Sequence, residues 1–248
     1  VTVCKIMKNP ACGTFLSPEL DYGIGLPIEN DQLVSSYLGY IKMLEIAKQL
    51  RPNQLDVIDG GSNIGTWSIP IGYHHRDLTF HTFEVQRAIF GLQSANVTIN
   101  SAWNVYPQWC GLSNSCNTID LAQPDYSKRS NFGAFEVNQP YKNSDDDTHR
   151  VAQVEQVKMA SIDSLQLKPL FIKLDLEGME WPAIQGGSWT IAAFQPIVWA
   201  ESHKSNADVI VPFFLERNYR ETKFDGHWLF IPPWLENNNS IIDIIGHQ

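Results

Sequence analysis

Two acids and a run of small residues carry the first chemical signal in this chain. The segment Val57-Ile58-Asp59-Gly60-Gly61-Ser62-Asn63-Ile64-Gly65 puts Asp59 at the end of an apolar stretch and glycines where the chain must turn. A backbone that turns sharply, approaches a ligand closely and packs on the next helix leaves room for small side chains only. Asp59 then stands where it can accept hydrogen bonds from a ligand ammonium group, directly or through water. Glu84 ends the next apolar stretch, 84 − 59 = 25 positions on, where an acid can hold both hydroxyls of a ribose. A dinucleotide fingerprint reads G-x-G-x-x-G, but Ser62 occupies its third position in Gly60-Gly61-Ser62-Asn63-Ile64-Gly65. The acid-x-Gly-x-Asn-x-Gly spacing fits a methyl-donor site better, because no pyrophosphate there needs the helix N-terminus. An NAD(P)-dependent oxidoreductase and a non-catalytic nucleotide-binding protein are the alternatives.

A second group lies further on. Asp175, Glu177, Glu201 and His203 fall at or just after the ends of two apolar runs, Leu170–Asp175 and Pro196–Glu201. Methyl transfer is an in-line displacement at carbon, and an alcohol acceptor also needs help to lose its proton. His203 is the base with the best intrinsic pKa for neutral pH. Asp175 or Glu201 would serve if desolvation raised theirs. Asp175, Glu177 and Glu201 together also present the hard oxygen ligands that magnesium favours, so a metal-assisted route stands beside the base. Glu180 reads as a helix cap or a partner of Lys173, and Lys173 as the partner of a neighbouring carboxylate. Pro232-Pro233-Trp234 looks like an amino-group methyltransferase motif, but Ile231 stands where that motif needs a polar residue.

The elements that must position these groups alternate. Leu55–Asp59 reads as a strand, followed by a helix from about Asn63, a strand Leu78–Phe83 and a helix Arg87–Asn100. This order implies a parallel sheet with right-handed crossovers. Asp31–Leu50 carries apolar residues at helical spacing and is stopped by Pro52. Ser113–Arg150 is polar, holds Asp145-Asp146-Asp147, and reads as a solvated loop or partial lid in which Asn131–Val137 alone looks strand-like. Val151–Met159 alternates, and Tyr219–Lys223 with His227–Ile231 forms a hairpin around Asp225-Gly226. The expected fold is doubly wound α/β with a mostly parallel seven-stranded sheet whose last strand is antiparallel. Residues 1–54 form a helical segment packing on the same domain, and 55–248 form the main domain with a polar insertion near 113–150.

Composition narrows the function. The 248 residues, 43% hydrophobic and 18% charged, suit a globular domain with a full core. A net charge of −9 without any basic stripe argues against nucleic acid. No run approaches the roughly 18 apolar residues of a membrane span, and Val1–Pro10 lacks a signal-peptide layout, so a soluble, cytoplasmic protein is expected. Cys4, Cys12, Cys110 and Cys116 form no C-x-x-C pair and are expected as reduced thiols. Asn96-Val97-Thr98 and Asn238-Asn239-Ser240 match the glycosylation sequon as chance matches in an Asn-rich chain.

Taken together, the glycine turn with Val57–Asp59, then Phe83-Glu84, Ser161-Ile162-Asp163-Ser164-Leu165 and Ile172-Lys173-Leu174-Asp175-Leu176-Glu177-Gly178-Met179-Glu180 resemble the FkbM family of methyltransferases. Gln185-Gly186-Gly187, Pro196–Glu201, Asn218-Tyr219 and Trp228–Pro232 continue the match. It covers roughly residues 55 to 233, and K-x-D-x-E-G-x-E is its most specific block. Gly60-Gly61-Ser62 replaces a more usual Gly-Ala, and Val85-Gln86 stands where proline is common. The resemblance implies a class I methyltransferase fold that uses S-adenosylmethionine, with a hydroxyl of a sugar or other small molecule as acceptor. The expected cofactor residues are Asp59, Gly60, Gly61, Ser62, Asn63, Gly65, Glu84, Val85, Gly111, Leu112 and Asp175. Asp175, His203, Glu201 and Glu177 form the expected catalytic set. Magnesium is the optional cofactor, and the oligomeric state is open.

Overall fold

The computed structural model describes residues 4–24, 34–137 and 151–246. The elements run β1 (Cys4–Asn9), β2 (Gly13–Pro18), α1 (Val34–Leu50), β3 (Asp56–Gly60), α2 (Ser68–His74), β4 (Thr79–Glu84) and α3 (Arg87–Ile99). Next come β5 (Val105–Trp109), β6 (Gly111–Leu112), β7 (Asn117–Pro124), β8 (Val151–Ala160), β9 (Pro169–Leu174), α4 (Glu180–Gln185) and α5 (Ser188–Phe194). The chain closes with β10 (Ile197–Ala200), α6 (Ala207–Leu215), β11 (Arg220–Phe224), β12 (His227–Ile231) and α7 (Asn239–Gly246).

Seven strands form the central sheet in the order β11-β12-β10-β9-β3-β4-β5. β10, β9, β3, β4 and β5 are mutually parallel, whereas β12 runs antiparallel to both β10 and β11. All residues of β9 are buried, as a parallel strand covered on both faces requires. From β3 the chain winds outward through β4 and β5; β9 then starts beside β3 and winds the other way. That reversal between β3 and β9 is the topological switch point, where open α/β sheets leave a crevice beyond the strand ends. On one face, α1 inserts the buried Tyr40 edge-on against Trp67, Phe171 and Phe224, with ring centroids 5.4, 6.0 and 4.9 Å away. No helix among the described residues is long and apolar enough to cross a membrane.

Four sequence expectations are corrected. The N-terminal segment is not wholly helical: β1 and β2 pair as an antiparallel hairpin before α1. Asn96 and Asn100 of α3 secure that hairpin like a neighbouring strand. Asn96 Oδ1 accepts from the Leu16 N–H (2.7 Å) and its Nδ2 donates to the Leu16 carbonyl (3.0 Å). Asn100 does the same for Thr14, at 2.9 and 2.7 Å. The polar insertion is not a loop throughout, because β7 pairs antiparallel with β8 from Asn117↔Met159 to Pro124↔Val151. Asn131–Val137, expected to be strand-like, contains a 3-10 turn at Phe132–Ala134 with the Asn131 side chain accepting from the Gly133 N–H. The helix expected from about Asn63 starts at Ser68, because Asn63 and Gly65 both take positive φ. Asp31, at the start of the first expected helix, and Asp145-Asp146-Asp147 lie outside the described residues.

Candidate active site

β3 delivers Asp59 and Gly60 to the crevice, and the chain then turns through Gly61 (φ 73°) and Asn63 (φ 50°). The Gly61 and Ser62 N–H groups both donate to the Phe83 carbonyl at 3.0 Å, which ties the end of β3 to the end of β4. A Cβ on Gly61 would stand 1.8 Å from the Asp175 carbonyl oxygen, so glycine is required by contact as well as by conformation. Ser62 Oγ lies 3.2 Å from the Phe83 carbonyl oxygen and 3.1 Å from Gln93 Oε1, inside the turn.

Glu84, at the end of β4, is 5% exposed. Its Oε2 accepts from the Asn63 N–H at 3.0 Å and its Oε1 from the Gln86 N–H at 2.8 Å. Burial pushes its carboxyl up to about 7 against the pull of those N–H groups. Each oxygen keeps a second lone pair for a donor from outside.

These elements enclose a groove with about 530 Å³ of free space, part of it open to solvent. That lies within the usual range for small-ligand sites. Of the residues singled out in the sequence, Gly61, Asn63, Glu84, Val85, Gly111, Leu112, Asp175 and Glu177 line it. Gly111 has a definite reason: a Cβ there would meet Met159 Sδ at 2.5 Å and Val85 Cγ1 at 2.8 Å. Asp59, Gly60, Ser62, Gly65, Glu201 and His203 do not line it. Met159 of β8, Phe135 of the turn after β7, and Met179 do, and sequence reasoning missed all three. Their only signal was apolar character next to polar runs.

Asp59 is fully buried beneath the groove, and its cation is Lys173, whose Nζ lies 3.4 Å from Asp59 Oδ1 and 3.2 Å from Asp175 Oδ2. Asp59 thus holds Lys173, and Lys173 holds Asp175. Burial raises the Asp59 carboxyl despite that ammonium. Burial acts to lower Lys173, but Asp175 and Asp59 outweigh it and leave it raised.

Asp175 and Glu201 end adjacent strands as expected: β9 and β10 pair in parallel, and the Glu201 N–H donates to the Leu174 carbonyl at 2.9 Å. Glu177 joins them through a left-handed backbone (φ 53°) followed by Gly178 (φ 98°). Glu180 holds that turn, accepting from the Leu176 N–H at 2.6 Å and the Gly178 N–H at 3.1 Å. One carboxylate oxygen from each of Asp175, Glu177 and Glu201 lies within 4.8 Å of the others. Burial first, then Glu177 and Asp175, pushes Glu201 up to about 8. Burial also raises Glu177, although Lys204 Nζ sits 2.5 Å from its Oε2.

His203 is exposed, with its ring edge-on to His227 at 5.0 Å. His227 was not foreseen. It opens β12 level with Glu201, its Nδ1 accepts from the Ser202 N–H at 3.2 Å, and burial lowers its pKa. The Ser161–Leu165 block is structural: Asp163 accepts from the Trp189 and Thr190 N–H groups at 3.2 and 2.8 Å and so caps α5.

A glycine turn at the first sheet strand, a buried acid at the end of the second and an antiparallel strand between β10 and β11 define the class I methyltransferase type of α/β protein. The chain belongs to the FkbM methyltransferase family, since the profile described as the Methyltransferase FkbM domain matches residues 59–232. Among solved structures it is similar to a methyltransferase FkbM from Methylobacillus flagellatus KT, at 16% identity and a TM-score of 0.49. That match covers 72% of this chain and 44% of the other, so the chain spans less than half of that relative. The magnesium protoporphyrin IX methyltransferase of Synechocystis PCC 6803, solved with bound SAM, is 13% identical with a TM-score of 0.35 over 78% of each chain. No curated protein matches the chain.

Proposed function

We propose that this chain transfers the methyl group of S-adenosylmethionine to a hydroxyl oxygen of a sugar or other small molecule. The observation that carries the reading is the pairing of Glu84 with the Gly61 turn in one groove, which Asp175 faces from the neighbouring strand. The residues present fit the donor. Gly61 and Gly111 leave space that a Cβ would fill, and Glu84 has acceptor capacity for ribose hydroxyls. The donor, when bound, supplies an electrophilic methyl group.

The chain's own residues do the rest. Glu84 fixes the ribose, and Val85, Gly111 and Leu112 shape the slot beside it. Asp175, immobilised by Lys173, orients the acceptor hydroxyl. His203, exposed just past Glu201 and outside the groove, receives the hydroxyl proton by way of water and passes it to solvent. Met179 and Phe135 exclude water from the apolar part of the groove.

The test has two stages. S-adenosylhomocysteine, but not NAD(P), should raise the melting temperature, because a ligand that binds only the native state stabilises it by mass action. No shift at millimolar ligand overturns the reading. With a labelled methyl donor and a panel of hydroxylated acceptors, Asp175→Asn and His203→Ala should keep ligand binding and lose about 10²–10⁴ in rate. Near-normal turnover in both variants places the chemistry elsewhere.

A further inference from the structure

Beside the donor groove, the ends of β9 and β10 gather more acidic groups than cations. Asp59, Asp175, Glu177, Glu180 and Glu201 face the ammonium groups of Lys173 and Lys204, and Lys204 is shared with Glu136 at 3.1 Å. Asp175 has Lys173, Glu177 has Lys204, and Glu180 accepts from two backbone N–H groups and from Ser205 Oγ at 2.7 Å. Glu201 differs. It is 7% exposed, and its Oε2 has no hydrogen-bond partner among the described residues. A buried carboxylate oxygen left without a donor is costly, and this one belongs to the carboxylate that comes within 4.8 Å of both Asp175 and Glu177.

We propose that Asp175, Glu177 and Glu201 form a binding site for one divalent metal ion with a preference for hard oxygen ligands, magnesium or manganese. Ligands on an octahedral ion at about 2.1 Å stand about 3.0 Å apart when adjacent and about 4.2 Å apart when opposite. The three carboxylates, within 4.8 Å of one another, reach that spacing by a small contraction. Two of them, Asp175 and Glu177, also line the groove, so the ion's remaining positions open toward solvent and the acceptor. Two positive charges at this point offset the mutual repulsion of the trio and occupy the free face of Glu201. Lys173 and Lys204 are each held by a second acid as well, Asp59 at 3.4 Å and Glu136 at 3.1 Å. The site is independent of what the acceptor is and of whether the groove holds a methyl donor.

The test is a titration of the purified, chelator-treated protein with manganese alone, followed by calorimetry and by the electron paramagnetic resonance of the free ion. One ion per chain should bind with a dissociation constant below about 1 mM, the weak end of carboxylate sites. Magnesium should compete for it. Glu201→Gln and Asp175→Asn should each weaken binding by at least about tenfold, with circular dichroism and a cooperative thermal melt as the check on folding. If Glu201→Gln does not fold, Asp175→Asn alone decides. No manganese binding in the unaltered protein overturns the proposal, as does unchanged affinity in folded variants. Because the readout is metal affinity without donor, a failure of the methyl-transfer reading would show separately, as absent S-adenosylhomocysteine binding.

Discussion

Binding of S-adenosylhomocysteine should tighten as pH rises, and Glu84 should be the cause. Burial holds its carboxyl at about 7, so at about pH 6 roughly 9% is ionised and at about pH 8 roughly 91%. Ribose hydroxyls donate to the ionised form, and apparent affinity scales with the competent fraction. Affinity should therefore increase about tenfold between about pH 6 and about pH 8. The ligand-free protein should behave oppositely. The folded carboxyl is raised from 4.5 to about 7, so the folded state binds the extra proton. That stabilisation is fully present below the unfolded value and is lost as pH rises through the folded one, on a scale of about 3 kcal/mol. Glu84→Gln keeps the shape and removes the titration, so its affinity profile should be flat and, at about pH 8, weaker by about 1.5–3 kcal/mol. Calorimetric titration at four pH values reads the affinity, and urea melts without ligand read the stability. A flat profile in the unaltered protein, or an equal slope in Glu84→Gln, refutes the reasoning.

Two further outcomes follow from the buried charges and the turn. Lys173→Met leaves Asp59 buried without its cation and should destabilise by about 3–5 kcal/mol in denaturant melts, with Asp59→Asn restoring part of the loss; a stable single variant would remove Lys173 from its structural role. Gly61→Ala drives a methyl group to 1.8 Å from the Asp175 carbonyl oxygen at φ 73°. It should abolish S-adenosylhomocysteine binding in a thermal shift assay while circular dichroism keeps its α/β form, and normal binding would mean the turn is looser than described.

Much of the groove beside β3 and β4 was legible because local chemistry encodes it. A β-branched run such as Val57-Ile58 running into glycines reads as a buried strand followed by a tight turn. Lys173 was read as a carboxylate partner, and Glu180 as a cap or a Lys173 partner; the structure gives Lys173 two carboxylates, Asp59 and Asp175, whereas Glu180 accepts from Leu176 and Gly178 in the turn before its helix and does not cap it. What stayed hidden depends on distant partners. β5 carries Pro107 and Gln108 and survives as an edge strand, where proline is tolerated. β7 hides Leu121 among Asn117, Asp120 and Gln123, and only pairing with β8 makes it a strand. The β1–β2 hairpin rests on asparagines 80 and 86 positions away. Nothing local to Asp59 says that Lys173, 114 positions on, pairs with it.

Asn96, the residue that clasps the hairpin, is also the acceptor asparagine of Asn96-Val97-Thr98, and it is fully buried with both amide atoms engaged. Oligosaccharyl transfer to that nitrogen would put a bulky, hydrated chain where Leu16 and Ile64 now sit. Modification and hairpin docking are thus mutually exclusive at this position. Expression of this chain through a secretory route would set glycosylation of the emerging polypeptide in a race against folding, and every molecule tagged first would be left with β1 and β2 undocked.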